Sequence, residues 1–303
     1  MVLFFMTSCS KDGENNTDNF QEIPADESAK LAALKLYNDY YLVATTTNDD
    51  TEWTGDEPSC DPGNIPQGVK DKILMRLMYF RKASGLHNEI IENLTKSEKA
   101  QQAALMMYAN NQLEHFPPES WKCYSAHGKD GAGNSLLAMS KNAEAIDTYI
   151  RDQGSANGPV GHRRWLLWPR LQEIGLGNTE ASNAIWVLGN PGSPPTDAPD
   201  FIAWPPEGYV PNRLVYPRWS FSIQDADFTE TQISMKDSKG NSVQLSVEEL
   251  DNAYGDRTIV WVPEGVNTNS AKDELYQVTL ENVKVNDESH DFEYSVILFD
   301  IDG

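Results

Sequence analysis

The sequence predicts an α+β protein in which a domain of helices and short strands precedes an all-β sandwich. Apolar residues recur with a helical period in several segments between residues 26 and 168, short glycine-bounded apolar runs follow, and strict alternation begins after residue 218. The length of 303 residues is enough to bury two sizeable cores. We therefore expect a tether over 1–25, a first domain over 26–190, a proline-rich linker over 191–218 and a sandwich over 219–303.

The first ten residues, MVLFFMTSCS, are typical of the end of an export signal, because small residues and Cys9 follow a short apolar run. The segment Met6-Thr7-Ser8-Cys9 resembles the lipobox of bacterial lipoproteins, in which the cysteine is acylated and becomes the new N-terminus. The polar and acidic stretch SKDGENNTDN after it is typical of a tether. The resemblance implies an extracytoplasmic protein, exposed at the outer-membrane surface, that contacts the membrane through lipid on Cys9.

The charge of the chain argues against one class of partner. The sequence carries 46 acidic and 24 basic residues, which gives a formal net charge of −22, and it has no cluster of basic residues. Nucleic-acid binding depends on such clusters to neutralise phosphates, so we expect no nucleic-acid partner. An acidic surface favours solubility, and we expect a monomer.

The three cysteines divide unequally along the chain. Cys9 lies in the leader, whereas Cys60 and Cys123 lie within the first domain. In an oxidising compartment the latter two can form a disulfide that closes a loop of about sixty residues and stabilises the fold by roughly 4 kcal/mol. Two buried free thiols are the alternative.

The first domain alternates helices and loops. The sequence Thr95-Lys96-Ser97-Glu98 predicts a capping box for the third helix, and Pro117 predicts its end, so His115 is expected in the last turn of that helix. A loop rich in Thr, Asp, Gly and Pro covers 45–66. The predicted helices are 26–44, 69–85, 95–116, 142–154 and 161–168, and the predicted strands are 173–177 and 184–189. Together they outline an α/β sandwich.

Eight prolines fall in the 27 residues from Pro191 to Pro217, a density that excludes a helix or a central strand and indicates a domain boundary. Because Trp204, Tyr209 and Tyr216 are costly to leave in water, part of this segment is expected to pack between the domains. The alternating segments beyond it predict a β-sandwich of immunoglobulin-like size. These segments are WSFSI, TQISMKD, SVQLSV, TIVWV, LYQVTLENVKV and EYSVILFD.

Two histidines are the candidates for a functional site. At a helix C-terminus the dipole favours a protonated His115, and at a helix N-terminus it favours a neutral His162 that can bind a metal. If the fold brings them together, they can share zinc or another divalent metal, with a third ligand from water, substrate or Glu173. Glu173 can equally orient an imidazole from behind. Each residue also has a purely structural interpretation, His115 as a helix cap and Glu173 as a solvated strand end.

Four segments carry a family resemblance over residues 65–190. They are QLEHF with His115, GAGNSLLA, GHRRWLLWP with His162, and EIGLG with Glu173. Their order resembles the CAP superfamily, which includes cysteine-rich secretory proteins, insect venom antigens and plant pathogenesis-related proteins, and in particular its bacterial branch. The stretch from WPPEGYVP to AYGDRTIVW resembles the β-sandwich that follows the bacterial domain.

The resemblance implies an α-β-α sandwich with an open cleft lined by two histidines and two acidic residues. His115 and His162 match the histidines, and Glu173 matches one acid. Asn134 occupies the place of the other acid, because this chain has Gly133-Asn134-Ser135 where the family has Gly-Glu-Asn. An amide orients an imidazole but does not exchange protons, which argues against catalysis by paired carboxylates.

Three functions are compatible with these residues. The first is a binding module whose cleft of His115, Asn134, His162 and Glu173 holds a divalent metal, a small apolar or lipid ligand, or an extracellular protein. The second is a hydrolase, a protease or esterase, in which one histidine activates Ser135 or Ser125 and Glu173 orients that histidine. No G-x-S-x-G or HExxH motif in the sequence supports it. The third is an adhesin that binds its partner through the β-sandwich.

Overall fold

The computed structural model describes residues 26–154 and 157–302. The proposed acylation site at Cys9 and the tether lie outside the described residues. Within the described part of the chain, no helix has the length and apolarity needed to cross a bilayer. The α-helices are α1 (Glu27–Leu36), α2 (Gln67–Ala83), α3 (Leu94–Asn110), α4 (Ala126–Asn134), α5 (Glu144–Arg151) and α6 (Gly161–Leu166).

The strands form three sheets of four. The first sheet has the order β1-β3-β4-β2, the second β5-β7-β10-β9 and the third β6-β12-β11-β8. Their bounds are β1 (Ile91–Glu92), β2 (Ser135–Ala138), β3 (Glu173–Asn178), β4 (Asn183–Trp186), β5 (Ile202–Trp204), β6 (Gly208–Pro211), β7 (Trp219–Ile223), β8 (Gln232–Asp237), β9 (Leu245–Val247), β10 (Arg257–Pro263), β11 (Glu274–Val285) and β12 (Glu288–Phe299). The chain is therefore α+β, as the sequence predicts.

Helices cover both faces of the first sheet. Ile174 and Leu176 of β3 belong to the core shared with α2 and α5. On the opposite face of β3, Gly175 and Gly177 let α3 approach closely, because a Cβ on Gly177 would lie 2.1 Å from the carbonyl oxygen of Ala100. The glycines of the EIGLG segment thus serve helix packing, and the layers run helix, sheet, helix.

The second and third sheets enclose one apolar core. Phe221 of β7 and Trp261 of β10 share it with Val278 of β11 and Val296 of β12. The pairings are antiparallel except for β12 with β6, which is parallel. Two of these strands, β5 and β6, come from the proline-rich segment and lie at sheet edges, where missing amide donors are tolerated.

The aromatic residues of the proline-rich segment join the two halves of the molecule. Trp204 is fully buried and belongs to the core of the first domain, where its ring lies 4.9 Å from that of Phe80. Tyr216 belongs to the same core, whereas Tyr209 packs beside Phe299 of β12, at 6.1 Å between ring centroids. Part of the segment therefore packs between the domains, in agreement with the expectation from its aromatic content.

The predicted disulfide is present. Cys60 and Cys123 are bonded and lie 63 residues apart in sequence. The bond ties the loop before α2 to the segment that leads into α4, and an ion pair between Lys122 and Glu57 lies beside it. The structure thus selects the disulfide over two free thiols, and the bond fits an extracytoplasmic location.

The third helix differs from its prediction at both ends. The N-cap is Asn93, whose side chain accepts a hydrogen bond from the Lys96 amide at 3.1 Å, and Thr95 lies inside the helix. The helix ends at Asn110 because Asn111 adopts the left-handed conformation, with φ of 47°. Asparagine tolerates that conformation better than most residues, so the helix stops well before the prolines. The prediction that His115 lies in its last turn is wrong.

Candidate functional site

Residues that are distant in sequence meet in one open groove, which has a volume of about 320 Å³. Of the residues predicted for the cleft, His115, Asn134, Ser135 and His162 line it. The other lining residues are Phe116, Gly133, Leu136, Asp152, Asn157, Gly158, Gly161, Trp165, Val187, Leu188 and Tyr254. The groove therefore combines two imidazoles with a largely apolar and aromatic wall.

His115 lies in the exposed segment between α3 and α4. Its Nδ1 is 2.9 Å from the carbonyl oxygen of Ala132. A carbonyl oxygen only accepts hydrogen bonds, so Nδ1 carries a proton, and in the neutral ring Nε2 is the nitrogen with the lone pair. Because the residue is not helical, the helix-dipole argument for a protonated His115 does not apply. The fixed tautomer leaves Nε2 as the nitrogen that can accept a hydrogen bond or bind a metal.

His162 is held in the same way by a buried carboxylate. Its Nδ1 donates to Oδ1 of Asp152 at 2.8 Å, and Asp152 is fully buried. The second oxygen, Oδ2, accepts from the backbone amides of His162 at 2.8 Å and Arg163 at 3.3 Å, so Asp152 also caps the first turn of α6. An acceptor at Nδ1 orients the ring and makes Nε2 the available nitrogen, which is the usual arrangement around metal-binding histidines.

Asp152 is the functional residue that sequence reasoning missed. It ends α5 in the left-handed conformation, ten residues before the histidine that it orients. The only signal in the sequence is an acidic residue at the end of an amphipathic helix, close to the glycine that was predicted to end it. Such a residue is usually solvated, and only the fold turns it towards His162.

Glu173 does not line the groove, and its predicted role beside an imidazole is wrong. Its carboxylate accepts hydrogen bonds from Asn93 Nδ2 at 3.1 Å and Asn190 Nδ2 at 3.2 Å, and it pairs with Lys96 Nζ at 3.1 Å. These contacts, the bond from Asn93 first, lower the pKa of Glu173 from its ordinary value of 4.5. Lys96 also donates to the carbonyl of Leu188, a groove residue, at 3.2 Å. Glu173 therefore supports the wall from behind.

Replacing Glu173 by glutamine is expected to leave ligand binding in the groove unchanged and to lower the free energy of unfolding at pH 7 by about 0.5–1 kcal/mol. Because the folded-state pKa is lowered, the carboxylate contributes stability above its unfolded pKa and loses it as the pH falls through the folded value. The difference between wild type and variant should therefore shrink below about pH 4. Urea unfolding at pH 7 and pH 3.5 measures it, and a constant difference would contradict the prediction.

The remaining predicted residues, Asn134, Ser125 and Ser135, make no hydrogen bond to an imidazole among the described residues. Asn134 turns its amide towards its own helix and donates to the backbone oxygen of Asp130 at 2.8 Å. Ser125 caps α4, since its hydroxyl accepts from the Gly128 amide at 2.9 Å and donates to Gln102 at 2.6 Å. The Ser135 hydroxyl is buried and has no hydrogen-bond partner among the described residues. No serine–histidine pair of the kind a hydrolase needs is found at these positions.

The second domain completes one wall of the groove. Tyr254, in the loop between β9 and β10, packs its ring on Gly161, where an added Cβ would lie 3.1 Å from the ring. Arg164 holds this loop through hydrogen bonds to the backbone oxygens of Asp251 at 2.7 Å and Asp256 at 2.9 Å. The Trp168 indole donates to the Asp256 carboxylate at 2.9 Å. The sandwich therefore shapes the site beside His162.

The protein groups provide at most a partial metal site. Among residues 26–154 and 157–302, no group of three or more His, Cys, Asp or Glu side chains is arranged to hold a metal ion. The carboxylate of Asp152 is already used by His162 and the α6 amides. Two Nε2 atoms fit a divalent ion only if water or a ligand supplies the remaining positions.

A model of a known protein family matches the part of the chain that forms the first sheet and its helices. Residues 77–189 match the model of the cysteine-rich secretory protein family, CAP. The matched range contains both histidines, Asp152 and all four strands of the first sheet. A comparison with curated proteins gives no match. Residues 77–189 of the chain therefore belong to the CAP family.

Proposed function

We propose that this protein is an extracytoplasmic binding module whose groove holds a ligand between two oriented imidazoles and an apolar wall. One observation carries the proposal: His115 and His162 line the same groove, and each has its Nδ1 bonded to an acceptor. Separate parts of the fold hold the two rings, and each ring has its own Nε2 available. This arrangement favours a ligand group that can bind to Nε2.

The wall of the groove favours a ligand with an apolar part, such as a lipid. Phe116 is 76% exposed at the rim, and Trp165, Leu188 and Tyr254 extend the apolar surface inward. An exposed aromatic side chain beside a concave apolar surface is typical of ligand grooves. An extracellular protein that presents such a group is an equally suitable partner.

A divalent metal, zinc in particular, is part of the proposal. His115 and His162 would hold it through Nε2, and water or the ligand would complete its coordination. A bound divalent ion supplies a Lewis-acidic centre for an oxygen donor of the ligand. The protein would act as a monomer, attached to the outer membrane by lipid on Cys9, so that the groove faces the exterior.

Zinc is expected to stabilise the protein through both histidines. At a zinc concentration about 100 times the Kd, the free energy of unfolding should rise by about 2.7 kcal/mol. The stabilisation should be lost in His115→Ala and in His162→Ala, measured as the melting temperature of protein without a polyhistidine tag.

His127→Ala is the matched control, because His127 is exposed and does not line the groove. This variant should keep the full zinc shift. An equal zinc shift in His115→Ala, His162→Ala and wild type would remove the metal from the proposal. Metal analysis of the purified protein identifies the ion that it carries.

A further inference from the structure

The strand β2 lies at the edge of the first sheet, and all four of its residues are buried. It pairs only with β4, in the register Leu136 with Ile185, and it is the last strand in the order β1-β3-β4-β2. The amide of Val187 donates to the carbonyl oxygen of Asn134 at 3.1 Å. Because bonded and non-bonded pairs alternate in an antiparallel ladder, the backbone groups of Leu136 point to β4 and those of Ser135 and Leu137 point away from it.

Several of these outward groups are free. The amide of Ser135 donates to the carbonyl of Ala132. In the described part of the chain, the Ser135 carbonyl and both backbone groups of Leu137 have no hydrogen-bond partner. An unpaired strand edge of this kind is what an added strand binds.

The free edge runs along the floor of the groove. A second cavity of about 180 Å³ shares the lining residues His162 and Asn157 with the groove, so the two are adjacent. Ser135 and Leu136 line the first cavity, and Leu137 and Ala138 line the second. The strand thus passes lengthwise from one cavity to the next, beside the imidazole of His162.

Apolar side chains are exposed at both ends of this path. Phe116, at the rim of the first cavity, is 76% exposed, and Leu113 and Met139, at the second, are 41% and 40% exposed. Exposed apolar residues around a concave surface indicate an interaction site.

We infer that the ligand of the groove is an extended peptide segment, which adds to β2 as a fifth strand of the first sheet. Its backbone pairs with Leu137 and the Ser135 carbonyl, and its alternate side chains point to the cavities on either side of His162. Four residues of such a strand span about 13 Å. This inference rests on the proposed function, since it names the occupant of the same groove.

The backbone groups decide between a peptide and a lipid chain. A hydrocarbon chain on this floor would leave the Leu137 amide and carbonyl without a hydrogen-bond partner, which is costly for buried polar groups. A peptide in register satisfies them. The floor therefore favours a polypeptide over an acyl chain of the same apolarity.

A library of random linear heptapeptides displayed on phage, panned against the full chain in EDTA, is the first test. Enriched peptides are synthesised and their Kd is measured by fluorescence polarisation. Methylation of single peptide amides should then weaken binding about tenfold at alternate positions and little at the positions between, because only every second amide of an edge strand faces its neighbour. Enrichment of no linear peptide, or methylation effects without alternation, would overturn the inference.

Met139 gives a matched pair of protein variants. Met139 directly follows β2, its amide is outside the register with β4, and its side chain is exposed. Met139→Pro removes that donor without removing a bond to β4, and should raise the Kd of the selected peptides about tenfold. Met139→Ala keeps the donor and should change it less than threefold. Equal Kd values for the two variants would contradict strand addition, and the methylation series gives the answer even if the proline variant fails to fold.

Failure of the inference can be told apart from failure of the proposed function. If the zinc shift is lost in His115→Ala and His162→Ala and no peptide is enriched, the proposed function is supported and only the peptide inference is rejected. Selected peptides that bind with alternation, but whose Kd is the same in Met139→Pro as in wild type, would place the strand at another edge and reject this site. Absence of both zinc and peptide binding would reject both.

Discussion

Replacing Arg163 by methionine is expected to lower the free energy of unfolding by about 3–5 kcal/mol. Arg163 is almost fully buried, and its Nε donates to the carbonyl of Ile150 at 2.6 Å. Its Nη1 donates to the carbonyl of Arg218 at 2.8 Å and to the hydroxyl of Ser220 at 3.0 Å. Methionine fills similar space but offers no donor, and each buried acceptor left unpaired costs about 1–3 kcal/mol. Urea unfolding followed by tryptophan fluorescence measures the loss.

Arg213→Met is the matched control for this change. Arg213 is well exposed and its ion pair with Asp302 lies at the surface, so the same substitution there should cost less than about 0.5 kcal/mol. Because Arg163 links α5 and α6 to the start of β7, its loss should also separate the unfolding of the two domains into two transitions. Equal stabilities of the two variants would contradict the assigned role of Arg163.

Removing the disulfide is the second change with a large expected effect. The double variant Cys60→Ser, Cys123→Ser should lose about 4 kcal/mol, because the unfolded chain regains the freedom of a loop of 63 residues. Since Cys123 lies eight residues after His115, the loop that carries this histidine should also loosen. Urea midpoints with and without a reducing agent measure the effect.

The double variant contains its own control. A reducing agent should lower the midpoint of wild type to that of the variant and leave the variant unchanged. Cys60 is exposed, so the bond is accessible to reductant. A wild-type midpoint that stays constant while a thiol assay reports two new free thiols would show that the bond contributes nothing to stability.

Periodicity and composition predicted the fold class well because the helices bury one face and the strands of the sandwich alternate. Short elements carried too little signal: β2 has four residues, all buried, and α4 is rich in glycine. The helix α3 ends because one asparagine, Asn111, adopts a left-handed conformation. The apolar pattern continues beyond this residue, so periodicity predicted too long a helix. Boundaries of this kind depend on single residues and cannot be read from periodicity.

The sequence predicted the two histidines of the site correctly, but it did not determine which acidic residue lies beside them. His115 and His162 were assigned to a common cleft, and they line one groove. The carboxylate was misassigned, because Glu173 and Asp152 have the same chemistry and only the fold determines which one faces the imidazole. The distance along the sequence did not distinguish the two carboxylates, because Asp152 and Glu173 each lie about ten residues from His162.

The contact of Tyr254 with Gly161 means that residues of both the helical part and the sandwich form the groove. A fragment that stops before the sandwich would keep both imidazoles, but its groove would be wider and more polar because Tyr254 would be missing. Changes in the β9–β10 loop can therefore alter selectivity without touching the histidines. Exchange of the C-terminal domain between relatives would be a route to new ligands for an unchanged imidazole pair.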